Sequence, residues 1–354
     1  MPTLLVMAGG TGGHIYPGIA VAEVLRSRGW QIAWMGNSNG MEGRLVPPRG
    51  YDCAWIQFGA LRGKGLVRLI SLPLNLCRGF WQAWRALRRV RPDVVLGMGG
   101  YVSFPGGVMS RLMGIPLVLH EQNSVAGLAN RGLAKIATRI LCGFPGVFRD
   151  GVWTGNPVRA DIAGQAEPLQ RYSARESAPI SVLVVGGSLG AQVLNTVVPQ
   201  ALRLIPVASR PKVVHQAGSK QFEALQLAYR DAGVEGELLD FIENMAERYA
   251  QADLVICRAG ALTVAELAAV GVASILVPFP HAVDDHQTSN AGFLVEAGAA
   301  AIIPQSELTP ERLAEQLRTM DRTSLLAQAS QARKLARPDA ADAVADVCQS
   351  LCGK

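Results

Sequence analysis

The sequence has no hydrophobic run long enough to cross a membrane. Its longest apolar stretch, residues 66–77, contains Arg68 and Asn75 and is well short of the roughly 20 apolar residues that a spanning helix needs. The amino terminus lacks a basic leader, so we expect its short apolar run to form a strand and not a signal peptide. These absences favour a protein without a membrane-spanning segment.

Cysteine is scarce and has no metal-ligand spacing, apart from one pair at the carboxyl terminus. A zinc site needs more ligands than that pair offers. We therefore predict reduced core cysteines in a cytoplasmic protein. The six residues are Cys53, Cys77, Cys142, Cys257, Cys348 and Cys352.

Charged residues are only 18% of the chain and hydrophobic residues 49%, a composition that suits a soluble globular protein better than a disordered or fibrous one. The length of 354 residues exceeds the size at which one hydrophobic core usually keeps growing. Two domains are therefore expected.

Short β-rich runs alternate with helix-length segments, as in parallel sheets covered by helices on both faces. Because the pattern restarts in the second half, we predict an α/β fold with two Rossmann-like halves. The predicted strands are residues 4–8, 31–36, 94–97, 117–120 and 139–142, and then 181–185, 212–215, 254–257, 274–277 and 300–303.

The domain boundary is expected near residues 156–159, because residues 164–179 are polar and without clear periodicity. Pro338 follows a long helical pattern. Since proline suits a first helical turn, we expect the last helix to start there and cover about residues 339–352.

Each half opens with a strand, a glycine-rich turn and a helix, at residues 6–14 and 184–191. Such a turn brings backbone amides close to a phosphate. Two turns suggest two phosphate-bearing ligands, although a purely structural tight turn explains either one. A dinucleotide dehydrogenase is disfavoured, because the second strands end at Asn37 and Gln216 without the carboxylate that would hold a ribose.

Two further segments carry polar groups at predicted strand ends. Residues 257–266 form a strand, a turn and a helix that places Thr263 and Glu266 one turn apart. This helix can bind a diphosphate at its N-terminus and a ribose diol through Glu266, or Glu266 is simply solvated. After residue 280, the cluster of His281, Asp284, Asp285, His286 and Gln287 suits a hydroxyl-rich sugar better than a metal ion.

Taken together, seven motifs resemble those of the bacterial MurG family, the UDP-N-acetylglucosamine:lipid I N-acetylglucosaminyltransferases, in the same order and over essentially the full length. They are Gly9-Gly10-Thr11-Gly12-Gly13-His14, Gly97-Met98-Gly99-Gly100-Tyr101, His120-Glu121-Gln122-Asn123, Gly155-Asn156-Pro157-Val158-Arg159, Gly186-Gly187-Ser188, Arg258 through Glu266, and His286-Gln287.

The resemblance implies a GT-B architecture, with two Rossmann-like parallel-sheet domains facing a deep cleft. Residues 1–158, completed by a C-terminal helix at 338–354, would bind acceptor and membrane, and residues 159–337 would bind UDP-GlcNAc. It further implies an inverting, metal-independent transfer of GlcNAc to the MurNAc 4-hydroxyl of lipid I, giving lipid II for peptidoglycan synthesis. No cofactor and no nucleic acid are expected, and the location is the cytoplasmic face of the bacterial inner membrane.

By the same resemblance, Ile242 meets the uracil and Glu266 the ribose, while Ser188, Arg159 and the helix from Ala261 serve the diphosphate. Some members carry Gln-Gln where this chain has His286-Gln287, so Gln287 is assigned to the sugar and the role of His286 stays open. The acceptor contacts are His14, Gly99, Gly100 and Tyr101. The donor contacts are Thr11, Gly12, Gly13, Asn123, Arg159, Ser188, Ile242, Ala261, Leu262, Thr263, Val264, Ala265, Glu266 and Gln287.

His14 is the natural candidate for the catalytic base, because imidazole titrates near neutral pH. A histidine at this position can equally bind the acceptor's pyrophosphate or cap the helix. Two other functions are compatible with the sequence: a UDP-GlcNAc epimerase of the same fold, and a non-catalytic module that binds a nucleotide sugar.

Acidic residues are absent from residues 53–92, whereas eight Lys and Arg residues lie there. Basic residues mixed with aromatic and aliphatic ones are typical of a segment that lies in a bilayer interface, so we predict docking on an anionic membrane. Buried core explains many of the apolar residues equally well. The predicted patch consists of Lys64, Arg68, Leu69, Leu72, Phe80, Trp81, Trp84 and Arg85.

Overall fold

The computed structural model describes residues 1–58, 66–187, 190–280 and 285–353, without the side chains of residues 66–73. The chain divides into two compact units. The first comprises Met1–Arg159 with Arg337–Lys354, and the second comprises Ala160–Ala336.

The first unit is built on a seven-stranded, all-parallel sheet of order β3-β2-β1-β4-β5-β6-β7. Its strands are β1 (Thr3–Ala8), β2 (Gln31–Gly36), β3 (Asp52–Trp55), β4 (Val94–Gly99), β5 (Leu117–Glu121), β6 (Arg139–Cys142) and β7 (Val152–Trp153). Its helices are α1 (Gly12–Ser27), α2 (Glu42–Leu45), α3 (Leu66–Val90), α4 (Ser103–Leu112), α5 (Leu128–Ala134) and the last helix of the chain, α15 (Ala340–Ser350).

The central strand β1 is buried on both faces. Leu4 and Val6 contribute to a core shared with α1 and α15, while Leu5 and Met7 contribute to a core shared with α3 and α4. A continuous apolar run therefore forms a strand here, because helices cover the sheet on both sides.

The second unit contains a six-stranded parallel sheet of order β10-β9-β8-β11-β12-β13. Its strands are β8 (Ser181–Val185), β9 (Lys212–Gln216), β10 (Glu237–Leu239), β11 (Leu254–Cys257), β12 (Ala273–Leu276) and β13 (Ala300–Ile302). Its helices are α6 (Ala160–Ala163), α7 (Pro168–Ser173), α8 (Gln192–Arg203), α9 (Phe222–Ala232), α10 (Met245–Gln251), α11 (Ala261–Val270), α12 (His286–Val295), α13 (Pro310–Thr319) and α14 (Arg322–Lys334).

Both sheets have the strand order of a Rossmann fold. The strands that follow the first one along the chain are added on one side of it and then on the other, so the order switches between β1 and β4 in the first unit and between β8 and β11 in the second. Ligands of such sheets bind beyond the carboxyl ends of the strands at this switch point. The predicted strands are confirmed with ends shifted by at most two residues, whereas β3, β7 and β10 were not predicted.

Residues 164–179 contain α7, which is anchored because the guanidinium of Arg171 donates to the carbonyls of Val270 and Gly271. Two local expectations are corrected. Pro338 precedes the last helix, which begins at Ala340, and is not in its first turn. Cys77 is exposed and is not a core residue, although all six cysteines are free.

Candidate functional site

The switch point of the first unit brings two glycine-rich segments together. After β1, Gly9 lies so close to Gly100 that a Cβ on Gly100 would clash with the Gly9 carbonyl oxygen. At the end of β4, a Cβ on Gly99 would lie 3.0 Å from His14 Nε2. Gly99 and Gly100 also have φ of 104° and 84°, which side chains rarely adopt. The glycines thus place the acceptor-site candidates side by side, and Tyr101 follows them exposed.

The His14 ring is oriented by its own turn. Nδ1 lies 3.2 Å from the Gly9 carbonyl oxygen and 3.3 Å from Thr11 Oγ1. Because a carbonyl only accepts hydrogen bonds, the Nδ1 that bonds Gly9 carries the proton, and Nε2 is then the basic nitrogen. Thr11 is the extended N-cap residue of α1, followed by Gly12 and Gly13 in its first turn.

A buried carboxylate that the sequence analysis did not single out supports this turn. Glu42 is only 1% exposed. Its Oε2 accepts from the backbone amide of Gly10 at 3.0 Å, and its Oε1 accepts from that of Asn37 at 2.9 Å. The crowding of glycines around residue 42 was the available sequence signal.

At the end of β5, the carboxylate of Glu121 organises the loop that carries Asn123. It is 2% exposed and accepts from the Asn123 amide at 2.9 Å, the Gly127 amide at 3.1 Å and Asn130 Nδ2 at 2.8 Å. Asn123 Nδ2 also reaches Glu121 Oε1 at 3.3 Å. The loop conformation is therefore fixed by an internal anion.

His120, in the same motif, is structural. Its Nε2 donates to the Gly155 carbonyl oxygen at 3.0 Å, and its Nδ1 accepts from Gln122 Nε2 at 3.1 Å. Both bonds suit the neutral ring. Complete burial lowers the pKa of His120 to about 4, so it stays uncharged at neutral pH.

The second unit has a groove of about 880 Å³ at its own switch point. It brings together the glycine turn after β8, the start of α8, the N-terminus of α11, and Gln287. The lining residues include Gly186, Gly187, Gly190, Gln192, Arg258, Gly260, Thr263, Phe279, Gln287 and Gln305. Ser188 of the same turn lies outside the described residues.

The first turn of α11 supplies backbone donors to this groove. Gly260 caps the helix without a side chain, and the amides of a first helical turn have no carbonyl within the helix to bond. Val264 does not offer its amide to the groove, because this amide donates to the Gly260 carbonyl. Its side chain is fully buried. Together with the helix dipole, this terminus favours an anion.

Glu266 lies one turn further along α11 and is half-buried. The hydroxyl of Tyr249, itself 1% exposed, donates to Glu266 Oε2 at 3.1 Å. The Ile242 side chain is 6% exposed. Ala261 is also buried, whereas Leu262 and Ala265 are half-buried.

Arg258 fixes the wall of the groove after β12. Its guanidinium donates to the carbonyls of Val277 and Pro278 at 3.0 and 3.1 Å and to Gln305 Oε1 at 2.6 Å. It also lies 5.3 Å from the centroid of the Phe279 ring, and burial lowers its pKa. Gln287 Oε1 accepts from the Phe279 amide at 2.9 Å, so Gln287 is oriented at the groove.

The polar cluster before α12 is only partly described. Asp285 is its N-cap residue, with φ of 49°, and its Oδ1 accepts from Thr288 Oγ1 at 2.8 Å. His281 and Asp284 lie outside the described residues. Among the residues that are described, no three His, Cys, Asp or Glu side chains form a group suited to a metal ion.

The predicted membrane patch lies on α3, although Lys64 and the side chains of Arg68, Leu69 and Leu72 lie outside the description. Trp81 is 55% exposed. The guanidinium carbon of Arg85 lies over the Trp81 ring, 5.7 Å from the ring centroid. Phe80 instead contacts Phe104 on α4, and Trp84 is half-buried beneath Arg88. No helix in the described part of the chain is long and apolar enough to span a membrane.

Family models match both units. The N-terminal domain of glycosyltransferase family 28 matches residues 4–142, and the C-terminal domain of that family matches residues 181–346. The chain belongs to glycosyltransferase family 28. Arg159, at the end of the first unit, lies between the two matches.

Curated relatives are similar over nearly the whole chain. The UDP-N-acetylglucosamine–N-acetylmuramyl-(pentapeptide) pyrophosphoryl-undecaprenol N-acetylglucosamine transferases of Aromatoleum aromaticum and of an Azoarcus species are both 67% identical to it over 351 residues. Each alignment covers 99% of this chain and 98% of the relative. The resemblance to the MurG family is therefore confirmed.

Solved structures agree. MurG of Acinetobacter baumannii is 41% identical, with a TM-score of 0.86 over 99% of this chain and 100% of that one. The calicheamicin glycosyltransferase CalG4, 16% identical with a TM-score of 0.69 over 100% of this chain and 99% of that one, shares the fold alone. This family 28 chain thus has two parallel-sheet α/β domains, as in GT-B glycosyltransferases.

Proposed function

We propose that this family 28 enzyme transfers GlcNAc from UDP-GlcNAc to the MurNAc 4-hydroxyl of undecaprenyl-pyrophosphoryl-MurNAc-pentapeptide, with inversion at the anomeric carbon. The observation that carries the proposal is the 67% identity over 99% of the chain to transferases named for this reaction. The product is the disaccharide lipid used for peptidoglycan.

On the donor side, the groove of the second unit suits a nucleoside diphosphate sugar. The α11 N-terminus and the glycine turn after β8 present backbone amides, which favour a diphosphate without a metal ion. Glu266 accepts from the ribose hydroxyls, and Gln287 bonds the sugar. Arg159 and Ser188 complete the diphosphate contacts, and the segment at Ile242 meets the uracil.

In the chemical step, His14 Nε2 takes the proton of the acceptor hydroxyl as that oxygen attacks C1 of GlcNAc. The bond from C1 to the diphosphate breaks on the opposite face, and UDP leaves with the electron pair. The hydrogen bond from Nδ1 to the Gly9 carbonyl supports this role because it directs basicity to Nε2.

The enzyme acts as a peripheral protein on the cytoplasmic face of the bacterial inner membrane. The exposed pair of Trp81 and Arg85 supports contact with anionic lipid, since both residue types favour the bilayer interface. A lipid-linked acceptor would then be reached without extraction from the membrane.

The test is transfer from labelled UDP-GlcNAc to purified lipid-linked acceptor in vesicles, with and without EDTA. We expect labelled disaccharide lipid in both conditions. Conversion of the donor to its C2 epimer without acceptor would support an epimerase instead. Stoichiometric donor binding without turnover would support a non-catalytic module.

A further inference from the structure

Glu42 shows an unusual convergence of glycines on one carboxylate. A Cβ on Gly40 would lie 2.5 Å from Glu42 Oε2, and a Cβ on Gly36 would lie 2.7 Å from Glu42 Cγ. A Cβ on Gly9 would clash with Oε1. Three glycines therefore leave room for the same side chain: Gly9 follows β1, Gly36 ends β2, and Gly40 lies in the connection from β2 to α2.

The carboxylate links two segments through their backbones. Gly10, after β1, donates to Oε2 at 3.0 Å, and Asn37, after β2, donates to Oε1 at 2.9 Å. Charge-assisted hydrogen bonds of this kind are roughly twice as strong as neutral ones. Both oxygens of a 1% exposed anion are thus used to fix the ends of two adjacent strands.

The segment that supplies Glu42 is itself tightly constrained. The Gly40 amide donates to the Asn37 carbonyl, and a Cβ on Gly43 would clash with the Ser38 carbonyl oxygen. The side chain therefore projects from a compact turn towards the glycine-rich segment that precedes His14.

We propose that Glu42 is a positioning residue that occupies the anion site of the first glycine-rich turn and thereby sets the orientation of His14. The Gly10 amide serves this internal carboxylate and not a phosphate of a substrate. In this turn the glycines make room for the Glu42 side chain. The diphosphate site that we assign to the N-terminus of α11 in the second unit is a different one. This inference rests on the proposed function only for its kinetic readout.

The physical link is short. His14 Nδ1 bonds the carbonyl of Gly9, and Glu42 holds the next amide along the chain, that of Gly10. A shift of the peptide between Gly9 and Gly10 therefore moves the acceptor of the His14 hydrogen bond. Misplacement of a catalytic group by about 1 Å can cost on the order of 10²-fold in rate.

The kinetic test compares Glu42→Gln with Asp253→Asn, assayed well below each variant's melting temperature. Glu42→Gln keeps the volume but presents an NH₂ group to one of the two amides. Asp253 is the control, because it is a fully buried carboxylate of the second unit that accepts from the Ser181 amide at 2.9 Å. In the described part of the chain it also pairs, unlike Glu42, with Arg175 and Arg322, so its replacement tests the loss of a buried carboxylate outside the first glycine-rich turn. We expect Glu42→Gln to lower kcat at least tenfold while the donor KM stays within threefold, and Asp253→Asn to lower the melting temperature with kcat within twofold.

Gly40→Ala is a second variant, which keeps Glu42 in the sequence but displaces its carboxylate, because the added methyl group would clash with Oε2. It should also lower kcat. If Glu42→Gln and Gly40→Ala both keep kcat within twofold and lose only thermal stability, the positioning role is overturned. A wild-type enzyme without transferase activity would contradict the proposed function instead.

A measurement on the unaltered protein is independent of activity. The amide of Gly10 belongs to an exposed residue, yet its bond to Glu42 should make its hydrogen exchange slow in NMR spectra, at least 100-fold below that of an unstructured chain. Exchange at the unprotected rate would show that the carboxylate does not hold this turn.

Discussion

The hydroxyl of Tyr249 donates to Glu266 Oε2 across 3.1 Å, joining α10 to the helix that starts at the donor groove. Tyr249 is buried and Glu266 half-buried, so a core residue orients a carboxylate that faces outward. This arrangement allows the proposed ribose contact of Glu266 to be tested by changing either residue.

Replacing Glu266 with Ala should weaken UDP-GlcNAc binding. Hydrogen bonds to a charged group contribute about 1.5–3 kcal/mol, equivalent to roughly a 10- to 150-fold higher Kd by calorimetry. Tyr249→Phe keeps the ring and removes only the orienting bond, so its effect should be smaller. Equal donor affinity in folded Glu266→Ala and wild-type protein would remove Glu266 from the site.

Replacing His14 with Ala should reduce turnover far more than donor affinity. A general base contributes about 10²–10⁴-fold, and the ring belongs to the first unit, whereas the groove proposed for the donor belongs to the second. Rates at saturating acceptor and donor Kd values should be measured together. A loss below about tenfold would leave His14 a binding role only.

The double variant Trp81→Ser with Arg85→Gln should weaken sedimentation with anionic liposomes, because each interfacial basic residue contributes about 1 kcal/mol. Binding by the wild type should rise with anionic lipid and fall with salt. The control is Leu169→Ser with Arg203→Gln, which changes an exposed leucine and an exposed arginine of the second unit. If binding did not depend on salt, or if both variants lost binding equally, α3 would not be the membrane-contacting surface.

Acid should destabilise the protein through two buried histidines. Burial lowers the pKa of His120 to about 4 and that of His215 to about 3, against about 6.5 in the unfolded chain. The stabilisation from their neutral forms is fully present above pH 6.5 and is lost as the pH falls towards the folded-state values. Each contributes about 2 kcal/mol between pH 7.5 and 5.

The measurement is urea unfolding at both pH values, with His215→Gln as the comparison. In the wild type, Tyr229 donates to His215 Nδ1, and Nε2 donates to Asn195 Oδ1, so glutamine costs stability at pH 7.5. Its free energy of unfolding should nevertheless fall less on acidification, by about 2 kcal/mol. The same acid loss in both proteins would exclude His215 as a source.

The sequence predicted the interior strands because buried parallel strands are continuous apolar runs between glycine turns. It missed Val152–Trp153 and Glu237–Leu239 because these strands have only two and three residues and include exposed or polar positions. Asp52–Trp55 was missed for a similar reason, since two of its four residues are exposed.

The candidate site was predictable in its local structure where one stretch of chain contains both the turn and the polar side chains beside it, as in residues 257–266. Glu42 was not predictable in this way. Its partner Asn37 lies in the same connection, but its partner Gly10 follows β1, 32 residues earlier, so only the folded sheet brings both to one carboxylate. Likewise, Phe80 and Trp81 are neighbours in sequence, but the helix directs one inward and the other outward.

Helix α15 has a consequence for synthesis on the ribosome. Val344, Ala345 and Cys348 of α15 fill the core beside α1, although the whole second unit is translated between these two helices. The second unit can therefore finish folding while the first still exposes an apolar face. A nonsense codon just after Arg337 would spare the second unit and leave the nascent amino-terminal unit open to aggregation and proteolysis.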